Sequence, residues 1–242
     1  KRGRRGAEGC AEQCGARTVC HTTSQILAQA VKRLDPETKL AIGPAIEDGF
    51  YYDFEFKEPI SSEDFSAIEK EMKKIVKERL PLERFTLSRD EAIAFMKERN
   101  EDYKVELIED LPEDAVISFY RQGEFVDLCA GPHLDNTKYV KAIKLTSLAG
   151  AYWRGSEQNK MLTRIYGTCF PEKEQLKEYL DRIEEAKKRD NRKLGKELGI
   201  FTIMEEGPGV PCFLPKGRVL KNCLNAYWRK IHYRAGKPEI AP

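Results

Sequence analysis

The chain has 242 residues, with 42 Lys and Arg against 40 Asp and Glu, a formal net charge of +2 and 40% apolar residues. The apolar share is enough to bury real cores, and charges so nearly balanced exclude a strongly basic nucleic-acid coat. No run approaches the roughly 20 apolar residues of a membrane span, and no basic-then-apolar start reads as a secretory signal, so a cytoplasmic location and no membrane partner are expected.

The charge is uneven. Residues 1–20 hold Lys1, Arg2, Arg4, Arg5 and Arg17 against Glu8 and Glu12, a net of +3, which leaves −1 for the rest. They also hold Cys10, Cys14 and Cys20 of the seven cysteines. An odd cysteine count at irregular spacing reads as reduced thiols rather than a disulfide framework. The Cys-x3-Cys-x5-Cys-His run matches no usual zinc spacing. With four glycines and no apolar periodicity, residues 1–20 are predicted to be a disordered tail.

From His21 the pattern changes. Ile26, Leu27, Ala30, Val31 and Leu34 form a helical stripe that Asp35-Pro36 ends. Strands are predicted at 40–42 and at 50–54. Ser61-Ser62-Glu63-Asp64 opens a helix whose inner face is Phe65, Ile68, Met72, Ile75 and Val76, closed by Pro81. Ser88 and Glu91 form a capping box before another helix, with Ile93 and Met96 facing inward. Strands at 116–121 and 124–129 flank a Gln122-Gly123 turn, and further strands are predicted at 143–148 and 161–166. Period-two alternation puts Phe125, Asp127 and Cys129 on one strand face and Val126 and Leu128 on the other. Blocks of helices and strands with hairpin-length turns predict an α+β fold, an antiparallel sheet with packed helices.

Residues 172–197 are crowded with charges of both signs, and only Leu176, Tyr179, Leu180, Ile183 and Leu194 offer a buried face. This predicts a solvated connecting helix over 171–199, supported by i,i+4 ion pairs. Gly207-Pro208-Gly209 marks a boundary, and 220–232 reads as a new helix.

Two of the three histidines fall in informative places. His21 sits on the first turn of the first helix, with Gln25 one turn later on the same face. Cys129 ends a hairpin strand, and Ala130-Gly131-Pro132 turns the chain before His133. Backbone that turns beside polar strand-end residues commonly lines a pocket. Taken alone, the Cys-x3-His spacing is a weak signal.

Six segments carry a more specific likeness. They are His21-Thr-Thr-Ser-Gln-Ile-Leu-Ala-Gln-Ala, Ala41-Ile-Gly-Pro-Ala-Ile-Glu-Asp-Gly-Phe-Tyr-Tyr-Asp-Phe54, Tyr120-Arg-Gln-Gly-Glu-Phe-Val-Asp-Leu-Cys-Ala-Gly-Pro-His133, Ala149-Gly-Ala-Tyr-Trp-Arg-Gly155, Asn159-Lys-Met-Leu-Thr-Arg-Ile-Tyr-Gly-Thr168 and Ala186-Lys-Lys-Arg-Asp-Asn-Arg-Lys-Leu-Gly195. In this order they resemble the editing domain and linker helix of threonyl-tRNA synthetases. Alanyl-tRNA synthetase editing domains share the His…Cys-x3-His frame. The Gly-Phe-Tyr-Tyr-Asp and Ala-Tyr-Trp-Arg-Gly segments are closer to the threonyl branch.

The resemblance implies an editing domain over 21–170, a linker helix over 171–199 and a truncated start of a class II catalytic domain over 200–242. It implies hydrolysis of serine wrongly attached to threonine tRNA. Serine lacks one methyl of threonine, worth only about 1–3 kcal/mol of discrimination, so a second sieve is needed. His21 matches the residue expected to orient or activate water, and Lys104 the catalytic lysine. Tyr52 and Asp127 match positions that recognise the seryl group and the terminal adenosine, and Cys129 and His133 line the pocket.

Gln25 stands where the family pattern has a second histidine. A neutral amide is a poor zinc ligand, so no metal is expected at the site and no cofactor for editing. The full-length family uses ATP, Mg and Zn in the part beyond this chain, and forms a homodimer. The expected partner is the acceptor end of threonine tRNA. The competing readings are a catalytically silent tRNA-end binding module and a zinc-dependent deacylase of the alanyl type.

Overall fold

The computed structural model describes residues 3–47, 49–204 and 210–237, with side chains from residue 15 onward. The chain forms two compact units, Lys1–Lys177 and Glu178–Pro242.

The first unit is organised around helix α1, Gly3–Leu34. From Gly3 onward this helix corrects the reading of a disordered tail, of which residues 1–2 lie outside the described residues. Val19 and Cys20 already pack on the core, which anchors the helix ahead of His21. Once a helix is nucleated, each added residue gains a hydrogen bond, and Ala7, Glu8, Ala11, Glu12, Gln13 and Ala16 are good helix formers. Lys32 and Arg33 suit the negative end of the helix dipole in the last turn, and the helix stops before Pro36.

Around α1 lie two sheets. The first combines β1 (Lys39–Leu40), β2 (Ala45–Ile46), β3 (Gly49–Glu55), β7 (Ala142–Tyr152) and β8 (Met161–Phe170), in the order β1-β3-β8-β7 with β2 also on β3. The second has the order β4-β5-β6, from Leu82–Leu87, Ile117–Gln122 and Phe125–Leu128. All pairings are antiparallel. Helices α2 (Phe65–Glu78), α3 (Arg89–Glu98) and α4 (Asp102–Glu109) complete the unit, so the α+β class holds.

Residues 22–31 of α1 are buried on every side, polar ones included. Ile26, Leu27 and Val31 share one core with Phe50, Phe54, Met72, Ile75 and Ile165. Each fully buried side chain of this size contributes about 1.5–3 kcal/mol. The predicted alternation of β6 is realised as a wall between two cores. Phe125 faces the α1 core, whereas Val126 and Leu128 face a second core with Met96, Ile108 and Phe119. Asp127 and Cys129 thereby look toward α1.

The other unit is built from the charged segment and the residues C-terminal to it. The chain enters it through α5, Lys173–Lys188. A single connecting helix over 171–199 is corrected here, because α5 ends and α6 (Asn191–Glu197) starts afresh. Asp190 makes the break: its backbone leaves the helical region and its carboxylate accepts from the Arg192 amide at 2.8 Å. The expected i,i+4 pairs are present at Glu184–Lys188 and Glu185–Arg189. A hairpin of β9 (Phe201–Ile203) and β10 (Pro211–Phe213) precedes α7, Pro215–Arg234. The predicted boundary at Gly207-Pro208-Gly209 lies outside the described residues. No helix among the described residues is long and apolar enough to cross a membrane.

Candidate active site

Three elements deliver most of the expected residues to one place: α1 brings His21, with Gln25 one turn further along it, β3 brings Tyr52, and β6 with the turn after it brings Asp127, Cys129 and His133. Lys104 comes from α4. That helix is docked by the Glu101 carboxylate, which accepts from the Leu40 amide at 2.9 Å and pairs with Lys32 at 2.6 Å. The indole of Trp153 packs edge-on against Tyr103 and donates to Glu106 at 2.9 Å. These contacts fix α4 against β1 and turn Lys104 inward.

The first group is a buried charge network. Lys104 Nζ lies 2.6 Å from Asp127 Oδ1, and the Tyr52 hydroxyl donates to Asp127 Oδ2 at 2.7 Å. Lys104 Nζ also donates to the Tyr52 oxygen at 3.1 Å. All three residues are less than 5% exposed. Burial, and then the Asp127 carboxylate, hold the Tyr52 phenol well above its ordinary pKa. It is therefore a proton donor at neutral pH. Gly43 shapes this corner, since a Cβ there would run into the Tyr52 ring.

The second group is a relay of hydrogen bonds whose direction is fixed at one end. His21 Nδ1 faces the Pro132 carbonyl at 3.3 Å, an acceptor only, so neutral His21 carries its proton on Nδ1. Its Nε2 then accepts from the Cys129 thiol at 3.3 Å. Cys129 in turn accepts from His133 Nε2 at 3.1 Å and from the Gly131 amide at 3.3 Å. His133 Nδ1 is left to accept from the Thr22 hydroxyl at 3.3 Å, and that oxygen takes the Leu134 amide at 2.9 Å. Every proton has an acceptor.

The electrostatics agree with a neutral relay. Burial pushes the His133 imidazole down to about 3, with His21 as the second cause. Burial is also the leading reason that His21 is lowered, against the opposing pull of the Pro132 carbonyl and Asp127. The Cys129 thiol is pushed up to about 11, again by burial. Asp127 and Lys104 act on both His21 and Cys129, so the two groups form one electrostatic unit.

Six of the seven expected residues thus meet, and the seventh, Gln25 on α1, differs in character. Gln25 is 2% exposed, and its amide oxygen and nitrogen find no partner among the described residues. An unmet buried amide costs about 1–3 kcal/mol, so it is a group waiting for a water or a ligand. Thr22 and the Pro132 carbonyl also belong to the relay, and no spacing in the sequence marks them.

His21, Cys129 and His133 also offer three ligand atoms within 4.8 Å of one another. Imidazole and thiolate are donors that zinc takes, so the cluster fits three positions of such an ion. The side chain one turn after His21 is the neutral amide of Gln25. A cavity of about 380 Å³ opens onto His21, between Arg17 and Thr18 on one side and Pro44 and Pro132 on the other.

Residues 117–166 match the Threonyl and Alanyl tRNA synthetase second additional domain. The chain is 67% identical over 229 residues to a threonine–tRNA ligase of Clostridium novyi, covering 95% of this chain and 36% of that protein. It is 68% identical over 220 residues to the threonine–tRNA ligase of Acetivibrio thermocellus, covering 91% of this chain and 35% of the relative. That of Caldanaerobacter subterraneus is 64% identical over 226 residues, covering 93% and 35%. The chain spans about a third of the length of the curated relatives it matches. Over nearly its whole length the chain is thus similar to a portion of threonine–tRNA ligases, and its matched hairpin strands are similar to the second additional domain of threonyl and alanyl tRNA synthetases.

Proposed function

We propose that the first unit hydrolyses the ester of serine wrongly joined to threonine tRNA. The observation that supports this most is a buried cation, Lys104, fixed by Asp127 and Tyr52 beside the uncharged imidazole of His21. Ester hydrolysis needs a base for water and a positive group for the oxygen that becomes charged. A low-dielectric site makes that positive group count for more than it would in water.

In this reading the acceptor end enters the cavity at His21 and brings the seryl carbonyl to Lys104. An ammonium has three N–H donors, and two are aimed at Asp127 and Tyr52. The third is the one offered to the carbonyl oxygen. A water replaces the Cys129 thiol as the donor to His21 Nε2 and attacks the carbonyl carbon as that nitrogen takes its proton. The oxyanion forms against Lys104. When the carbon–oxygen ester bond breaks, His21 returns the proton to the ribose oxygen, leaving free serine and intact tRNA. Asp127, Tyr52 and the Gln25 amide recognise the seryl amine and hydroxyl and the terminal adenosine. The Pro132 carbonyl holds His21 in the tautomer that keeps Nε2 basic, and Cys129 and His133 line the pocket beside it.

A second reading is favoured by the convergence of three ligand atoms. His21, Cys129 and His133 would hold a zinc ion, which supplies Lewis-acid polarisation and a water of lowered pKa. Metal analysis separates the two readings, because the first requires hydrolysis after exhaustive chelation.

For residues 200–242 we infer the start of the class II catalytic domain, whose remainder would supply ATP, Mg and Zn sites. Helix α7 leaves Val219, Leu224, Tyr227, Trp228 and Ile231 exposed, as a helix made for a homodimer interface would. The test of the editing proposal is release of serine from seryl-tRNA by the purified chain, with His21→Ala and Lys104→Met as controls. Binding of tRNA without release would leave only the silent binding module.

A further inference from the structure

A second cavity opens beside the one at His21. It has a volume of about 330 Å³ and is lined by Ala16, Arg17, Cys20, Ala45, Ile46 and Glu47. Arg17 and Ala45 also line the cavity of about 380 Å³ that opens onto His21. The two hollows are therefore neighbours, divided by one side chain from α1 and one from β2. Arg17 precedes His21 by one helical turn, so both project from the same face of α1.

The divide is charged. Arg17 is exposed, and no carboxylate among the described residues lies at salt-bridge distance from it. Arg33, Lys104, Arg154 and Arg164, by contrast, are each matched by a carboxylate. A guanidinium with its N–H donors free suits phosphate, which it binds through two parallel hydrogen bonds. The second cavity offers a different chemistry, with Ile46 37% exposed and the Glu47 carboxylate open to solvent. An apolar surface beside one carboxylate suits a flat base that carries an amino group, as cytosine does.

We propose that the second cavity is a subsite for the nucleotide before the terminal adenosine, with Arg17 binding the phosphate between the two. This rests on the reading that the terminal aminoacyl-adenosine occupies the cavity at His21. A nucleic-acid chain that crosses from one hollow to the next carries its phosphodiester over the shared wall, where Arg17 stands. Glu47 accepts from the amino group of the cytosine, and Ile46 packs against its ring. Contacts made at a nucleotide remote from the ester help to hold the ester in place. The subsite reads nucleic acid and not amino acid, so it serves seryl and threonyl ends alike.

The test is fluorescence anisotropy of the whole chain with an uncharged acceptor-stem RNA hairpin ending in a single-stranded cytidine–cytidine–adenosine tail, which needs no catalysis. Arg17→Met is expected to weaken binding about tenfold at about 50 mM salt and to lower the slope of log Kd against log salt by about 0.7, the value for one single-strand phosphate. Arg17→Lys should keep the slope. The unsubstituted protein should bind a tail with uridine before the adenosine about fivefold more weakly, and Glu47→Ala should bind both tails equally. An unchanged Kd and slope in Arg17→Met, or equal binding of the two tails by the unsubstituted protein, would overturn the proposal. Serine release by the parent with those results removes only the subsite. Binding with the expected slope change but no serine release removes the editing reaction and leaves the subsite standing.

Discussion

Lys104 and Asp127 form an ion pair of 2.6 Å with both side chains about 95% buried, and neither has another charged partner at salt-bridge distance among the described residues. Removing one member of a buried pair costs about 3–5 kcal/mol, because the other charge is left uncompensated. Lys104→Met is therefore expected to lower the unfolding free energy by several kcal/mol in urea titration. Lys104→Met combined with Asp127→Leu should recover most of that loss. If the single variant is as stable as the parent, the pair is not buried as described.

The relay predicts the direction of the pH response. An unfolded histidine titrates near 6.5, whereas folded His133 holds its proton only below about 3. The unfolded state then binds more protons between these values, so stability is fully present above about pH 6.5 and falls as the pH drops toward 3. A shift of this size corresponds to a loss on the order of 5 kcal/mol. His133→Gln should flatten the pH dependence of chemical unfolding in that window. A slope unchanged by the substitution would place the response elsewhere.

Gln25 gives a two-sided prediction. Replacing its unpartnered amide by the apolar side chain of Gln25→Met should raise stability by about 1–2 kcal/mol, since an unmet buried group is removed. Gln25→His adds an imidazole as a fourth ligand beside the three converging ligand atoms and should raise zinc occupancy from substoichiometric to one per chain. Metal analysis of both proteins after purification checks the second part, and thermal unfolding checks the first.

Gly43 tests the geometry without touching a polar group. A Cβ at this position overlaps the Tyr52 ring, so Gly43→Ala must displace the phenol from Asp127. Hydrolysis is expected to fall at least about tenfold with tRNA binding retained, because misplacing a catalytic group by about an ångström is costly. Equal activity in Gly43→Ala would remove Tyr52 from the reaction.

Much of the site is legible in the sequence because its signals are local. His21 and Gln25 are spaced by one helical turn, and Asp127 and Cys129 by one strand repeat, so their shared faces follow from periodicity. Lys104 can be reached only through family likeness. Its helix owes its place to Glu101, Tyr103 and Trp153, contacts between segments far apart in sequence. Strand β4 carries no clear signal because it is an edge strand whose outward residues are mostly exposed, which blurs the alternation. The early start of α1 depends on Val19 and Cys20 packing against the core, and the break at Asp190 on one cap, neither of which apolar periodicity reveals. The relay through Thr22 and the Pro132 carbonyl joins residues about 110 positions apart and leaves no trace in spacing.

The most direct test of the central claim is the rate of serine release from threonine tRNA mischarged with serine, after chelation, for the parent chain, His21→Ala and Lys104→Met. The account predicts release by the parent, sparing of threonyl-tRNA, and a loss of about a hundredfold or more in each variant, the scale of removing a base or an oxyanion donor. Binding of tRNA with no release by the parent, or full activity in Lys104→Met, would contradict it.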